Sequence, residues 1–208
     1  MPSNTLFLAS KSPRRRQLLT DLGYEVRVIA SNAHTLRAFE GDEVVFEKET
    51  PEAYVVRTAK NKFLEGLEVK ATGGFAGVHL PVVAGDTVVS LEGEILGKPR
   101  DIDEARLFLK KLSGRTHEVR TAVYVGMSAE DFDFRVNRSL VTFRELTDHE
   151  IELYVKSGEP YDKAGGYGIQ GMASIFISKI EGSFTGIMGL PVYETAELLA
   201  QYNLPALH

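Results

Sequence analysis

The chain has 208 residues, 43% of them hydrophobic and 25% charged, with no cysteine and a formal net charge of −5. That length suits one large domain or two small lobes of a soluble globular protein, and the absence of cysteine excludes a disulfide framework, a thiol nucleophile and a thiolate zinc site. The acidic balance argues against broad nucleic-acid binding, no apolar run approaches the roughly 18 residues of a membrane span, and a short apolar patch followed by basic residues is the wrong order for a secretory signal, so a cytoplasmic location is expected.

Leu6 to Ala9 reads as a short buried strand. Ser12 suits an N-cap and Pro13 a first helical position. Leu18, Leu19 and Leu22 then give one apolar stripe, and Gly23 ends the helix. Arg14, Arg15 and Arg16 all sit in the first turn. Cations there oppose the helix dipole by roughly 0.3–1 kcal/mol each, whereas the free N–H groups of a helix start bind anions. The placement points to a phosphate site; the alternative is three arginines snorkelling over an exposed end.

Glu25 to Ile29 reads as a second strand, and Ser31 to Thr50 as a polar, irregular stretch holding Asp42-Glu43. Thr50-Pro51-Glu52 opens a helix expected to run to about Glu65, with Val55, Ala59 and Phe63 on its apolar face. Lys62 points to that same face, where it either snorkels out or reaches into a cleft. Glu68 to Leu80 reads as a loop. Val82 to Ala84 is a short buried strand expected to deliver Asp86 to its carboxyl end, the place where α/β sheets open to ligands. Val88, Val89 and Leu91 resume the apolar pattern, Glu92-Gly93 can turn, and Ile95-Leu96 return Lys98 towards Asp86. A carboxylate and an amine at one crevice could handle a metal, a water and a phosphate. A surface Asp closing a turn and a solvated Lys is the alternative.

Asp101 caps the next helix, with Glu104 at capping-box spacing, Ala105, Phe108, Leu109 and Leu112 inside, and Gly114 as the stop. His117 to Val125 alternates as a half-buried strand, Ser128 to Asp131 makes a hairpin connection, and Phe134 to Leu146 supplies one or two strands. Thr147-Asp148-His149-Glu150 is a second capping box. Gly158 to Gly171 carries five glycines among Glu159, Lys163, Tyr167 and Gln170, a loop whose backbone comes close to something. Its spacing is neither a Walker loop nor a dinucleotide fingerprint. Ile175, Ile177 and Ile180 read as a strand, Gly182 to Pro191 as a glycine-rich loop, and the last helix presents Val192, Thr195, Ala196, Leu199 and Tyr202 inward.

The five histidines show no metal-ligand spacing. Carboxylates without His or Cys partners suit Mg²⁺ or Mn²⁺. Several cations, a few carboxylates and a helix N-terminus suggest phosphoryl or pyrophosphoryl chemistry, in which cations hold phosphates and a carboxylate orients or deprotonates water.

Four blocks resemble the Maf family: Leu8-Ala9-Ser10-Lys11-Ser12-Pro13-Arg14-Arg15, then Gly85-Asp86-Thr87-Val88-Val89 with Gly97-Lys98-Pro99, then Asp162-Lys163-Ala164-Gly165-Gly166-Tyr167-Gly168-Ile169-Gln170-Gly171, and Gly189-Leu190-Pro191 with Glu194. They occur in the family's order across nearly the whole chain. The resemblance implies an α/β fold with a mixed, bent β-sheet flanked by helices, two lobes and a central cleft, related to the inosine triphosphatase fold, in a single domain over residues 1–208. It implies a nucleoside triphosphate pyrophosphatase that needs a divalent metal cation (Mg²⁺, Mn²⁺ or Co²⁺) and commonly forms a homodimer. By position, Asp86 matches the water-activating base, and Ser10, Arg14, Glu43, Lys62 and Lys98 match the residues around phosphates and metal, with Glu43 and Asp86 on the metal. Arg15, Thr87 and Lys163 join the expected substrate-binding set, and Glu159 is a further candidate; Glu159 and Lys163 could equally be salt-bridge partners within the loop. Gln170, with Arg14 and Lys62, matches the branch acting on dTTP and UTP. Its amide offers both a donor and an acceptor to the O4/N3–H edge of uracil or thymine. The sister branch, acting on 7-methyl-GTP, and a non-enzymatic regulator of septation are the alternative readings. Gly85 replaces the family's Ala, and Asn32 to Gly41 is an apparent insertion. Glu43 is therefore placed by its distance from Thr50-Pro51-Glu52.

Overall fold

A computed structural model describes residues 4–29 and 44–206. Glu43 and the Asn32 to Gly41 stretch lie outside the described residues. The described chain forms a mixed sheet of seven strands flanked by helices, with strands in the order β2-β1-β3-β5-β6-β7 and β4 paired to β3. β1 (Thr5–Ala9) runs parallel to β2 (Glu25–Val28) and to the start of β3 (Val82–Leu91). β4 (Glu94–Leu96), β5 (Thr116–Gly126), β6 (Phe132–Phe143) and β7 (Ile177–Glu181) join by antiparallel ladders.

The helices begin where the local chemistry dictates. α1 (Pro13–Asp21), α2 (Pro51–Thr72), α3 (Ile102–Leu112) and α4 (Asp148–Val155) are capped by Ser12, Thr50, Asp101 and Thr147, each side chain accepting from a backbone N–H three residues on. Thr147 and Glu150 complete the reciprocal capping box. At α3 only half of it forms, because Glu104 Oε2 accepts from Arg100 N instead. α5 (Phe184–Met188) and α6 (Val192–Gln201) close the chain.

Five elements differ from the sequence reading. β3 does not stop near Ala84 but runs ten residues, so Asp86 stands in mid-strand rather than at a carboxyl end. α2 continues to Thr72, because Gly66 is a packing contact and not a break: a Cβ there would fall 2.5 Å from Ala9 Cβ. Residues 172–176 are 3₁₀ turns that leave Ile175 exposed, and the strand starts at Ile177. The Gly182 to Pro191 stretch contains α5, capped by Ser183. On α6 the buried positions are Thr195, Leu198 and Leu199; Val192, Ala196 and Tyr202 are half-buried.

Alternation along β3 and β5 sorts the core into faces. Val55, Ala59 and Phe63 of α2 pack with Ala84, Val88, Ala122 and Tyr124 on one face. Leu18, Leu19, Leu198 and Leu199 cover Val83, Val123 and Val125 on the other. A third cluster, beyond β4, joins α3 and α4 to Val89, Val119, Phe143 and Tyr167.

The register of β3 makes the functional opening. Its ladder with β1 ends at Ala9↔Ala84, and its ladder with β4 begins at Val89↔Leu96. Residues 85–88 therefore have no strand beside them on that edge, while the opposite edge stays paired to β5. The chain leaves β1 into Ser10–Arg15 on one side of the gap and leaves β4 into Gly97-Lys98 on the other.

Candidate active site

A cleft of about 860 Å³ opens at this gap. Ser10, Arg14 and Arg15 line it from the start of α1, Lys62 from α2, and Asp86 and Thr87 from β3. Lys98 lines it from the exit of β4, and Glu159, Lys163 and Gln170 from the glycine-rich loop. The expected site residues that are described thus converge on one cavity, although they span 160 positions between Ser10 and Gln170.

Asp86 sits on the floor, on the face covered by α2. Lys62 Nζ donates to Asp86 Oδ1 at 2.6 Å, and Thr58 Oγ1 donates to Asp86 Oδ2 at 2.6 Å. Thr58 and Lys62 are one helical turn apart, so they reach the same carboxylate side by side. Lys62 is 3% exposed, so it reaches inward rather than snorkelling. Burial pushes the Asp86 carboxyl up. The Lys62 and Arg15 charges, with hydrogen bonds from Lys62 and Thr58, outweigh that and hold it below the usual carboxylate range.

Thr87 points to the opposite face, where Arg15 is the hub. Arg15 Nε donates to Gly189 O at 2.6 Å, Nη1 to Ser10 Oγ at 3.2 Å and Nη2 to Thr87 Oγ1 at 3.1 Å. Thr87 Oγ1 in turn lies 2.9 Å from Thr121 Oγ1, which donates to Gly186 O. Burial pulls the Arg15 guanidinium down, and the Asp86 charge counters it. Arg15 ties α1, β3 and the α5 segment together. Arg14 is half-exposed and faces Asp162 Oδ2 across the cleft at 3.6 Å. Arg16 is exposed and does not line the cleft. One arginine of the triplet is thus a buried brace, one faces the cavity, and one faces solvent.

Across the cleft, Lys163 Nζ donates to Glu159 O at 2.7 Å and Asp162 Oδ1 at 2.5 Å. Gln170 and Lys98 are exposed at the wall. Among the described residues no group of three His, Cys, Asp or Glu is placed to hold a metal.

The sequence model of the family described as Maf-like protein matches residues 5–202. The chain belongs to the Maf family. The dTTP/UTP pyrophosphatase of Cupriavidus pinatubonensis is 48% identical over 199 residues, covering 96% of this chain and 97% of that protein. The dTTP/UTP pyrophosphatase of Dechloromonas aromatica is 45% identical over 194 residues, covering 93% of this chain and 95% of that protein. Among solved structures, a HAM1 protein from Coxiella burnetii is similar at TM-score 0.45 and 14% identity, covering 95% of this chain and 98% of that one.

Two Maf cleft features lie outside the residues that the sequence motifs point to. Thr58 is fully buried beside Asp86. Its signal was a hydroxyl at a core position of α2, one turn before Lys62. Thr121 carries the Arg15–Thr87 network on to α5; its place opposite Thr87 follows from the β3–β5 register alone.

Proposed function

We propose that the chain is a nucleoside triphosphate pyrophosphatase that hydrolyses dTTP and UTP to the monophosphate and pyrophosphate. The carrying observation is Asp86, an ionised carboxylate set in a strand gap with cations on both sides. The identity with relatives named dTTP/UTP pyrophosphatase supports the same reading.

In this reading the triphosphate lies along the gap. Arg14, Lys98 and Lys163 take its charge. Arg15 braces Ser10 and Thr87 against it. Asp86 Oδ1 and Oδ2 each accept one protein hydrogen bond, and a carboxylate has about four lone-pair sites, so it can still accept from a water in the cleft. A carboxyl held low is a weak base. Its part is to orient the water and accept the proton as the new P–O bond forms and the bridging P–O bond between the α and β phosphates breaks.

Asp86 offers a divalent cation one described carboxylate at the cleft floor. Mg²⁺ is commonly held by one or two carboxylates with phosphate oxygens and waters completing the shell, and Asp86, together with Glu43, would hold it. When bound, it supplies charge to the phosphate oxygens. Gln170 at the cleft wall reads the O4/N3–H edge of the base. A cytoplasmic homodimer with a housekeeping role in nucleotide control completes the reading. Among the described residues no helix is long and apolar enough to cross a membrane.

A nucleotide panel with Mg²⁺, scored by pyrophosphate release, tests it. dTTP and UTP should lead the panel. Equal turnover of every triphosphate removes the substrate assignment, and a lead by 7-methyl-GTP moves the chain to the other branch.

A further inference from the structure

We infer that Glu159 is a positioning residue for base selection: its carboxylate clamps the two ends of the glycine-rich loop and so fixes the segment carrying Gln170. This rests on the reading that Gln170 recognises the base.

The problem Glu159 solves is chemical. A glutamine amide offers an oxygen acceptor and an NH₂ donor on one planar group. Turned one way it complements the acceptor and donor of uracil or thymine. Flipped by half a turn it complements the amino group and ring nitrogen of cytosine equally well. Glutamine alone therefore cannot separate the two bases; the backbone carrying it must be held so that one orientation wins. A loop rich in glycine does not provide that stiffness by itself.

The structure supplies a brace. Glu159 Oε2 accepts from Met172 N at 2.8 Å, and Glu159 Oε1 accepts from Tyr154 OH at 3.1 Å. Tyr154 is a buried residue of α4, so the carboxylate ties the far end of the loop to the core. The Glu159 backbone carbonyl also accepts from Lys163 Nζ at 2.7 Å, which ties down the near end. Gly171 packs so closely that a Cβ on it would overlap the carboxylate, and a Cβ on Gly168 would lie 3.5 Å from Oε1. The backbone φ of Gly171 is −98°, which any residue adopts, so glycine there is required by the carboxylate and not by the turn. Met172 and Gly171 are the two residues that follow Gln170.

The test uses the full chain with Mg²⁺ and compares kcat/KM for UTP, dTTP and CTP. In Glu159→Ala the preference for UTP over CTP should fall about tenfold or more, with KM for UTP rising more than kcat falls, because orientation of the base and not the phosphate chemistry is lost. Glu159→Gln should keep most of the preference, since its amide oxygen still accepts from Met172 N–H and the Tyr154 hydroxyl can turn to accept from its NH₂. Gly171→Ala should reproduce the Glu159→Ala loss from the other side by displacing the carboxylate, and it decides the matter if Glu159→Ala does not fold. Folded Glu159→Ala or Gly171→Ala protein with the parent's UTP/CTP ratio overturns the inference. So does an equal loss for all three nucleotides. A parent enzyme indifferent to the base removes the Gln170 reading and this inference with it. An intact preference in the variants removes this inference alone.

Discussion

Lys62 Nζ lies 2.6 Å from Asp86 Oδ1, with the lysine side chain 4% and the aspartate side chain 13% exposed. The pair joins α2 to the stretch of β3 that is open on one edge. Removing one partner of such a pair leaves a buried charge uncompensated, at roughly 3–5 kcal/mol. Asp86 keeps some access to the cleft, so Lys62→Met should cost about 3 kcal/mol in urea unfolding. Adding Asp86→Asn to Lys62→Met should recover much of that loss. Additive losses in the double variant would show that the two groups are not coupled.

Asp86→Asn keeps the shape of the side chain and removes the charge. It should lower kcat by about 10²–10⁴-fold while far-UV circular dichroism stays that of the parent. An undiminished kcat would remove Asp86 from the chemistry.

Thr58 holds the other carboxylate oxygen, and its Oγ1 also lies 2.9 Å from Tyr54 O. Thr58→Val preserves the volume but cannot orient Asp86. We expect kcat to drop by about tenfold, the scale of one hydrogen bond to a charged group, with a smaller change in KM. Thr58→Ser should restore most of it. Steady-state kinetics on the two variants decide, and equal rates for Val and Ser would leave Thr58 with a packing role only.

His117 predicts a pH dependence at a residue that does not itself line the cleft. It is 1% exposed, and Nε2 lies 2.6 Å from Tyr167 OH. Burial lowers its pKa from 6.5 to about 4. The folded protein therefore stays neutral there while the unfolded chain takes up a proton. As pH falls from 6.5, the unfolded state gains, and the loss levels off below about 4. The shift corresponds to about 3 kcal/mol. Urea midpoints between pH 7 and pH 4 should fall in the parent and fall less steeply in His117→Gln. Parallel curves would contradict this.

Much of the fold is legible locally. Ser12, Thr50, Asp101 and Thr147 mark helix starts because a capping hydroxyl or carboxylate acts within three residues. The hairpin at Ser128 to Asp131 is local too. What was not legible depends on distant partners. β3 runs through Asp86 because β5 pairs with it along its length, and the opening at residues 85–88 exists because β1 ends and β4 begins too far apart to meet. The division of labour between Arg14 and Arg15 depends on Gly189, 174 positions from Arg15. The helix expected to end near Glu65 runs on to Thr72, with Gly66 packed against Ala9.

The central claim is a single cut between the α and β phosphates, made in the Asp86 cleft. The most direct measurement is the product composition from UTP and dTTP with Mg²⁺, taken by ion-exchange chromatography for the parent and for Asp86→Asn. We predict monophosphate and pyrophosphate in equal amounts from the parent and about 10²–10⁴-fold slower formation of both by the variant. Diphosphate with orthophosphate, or parent-like product formation by Asp86→Asn, would contradict it.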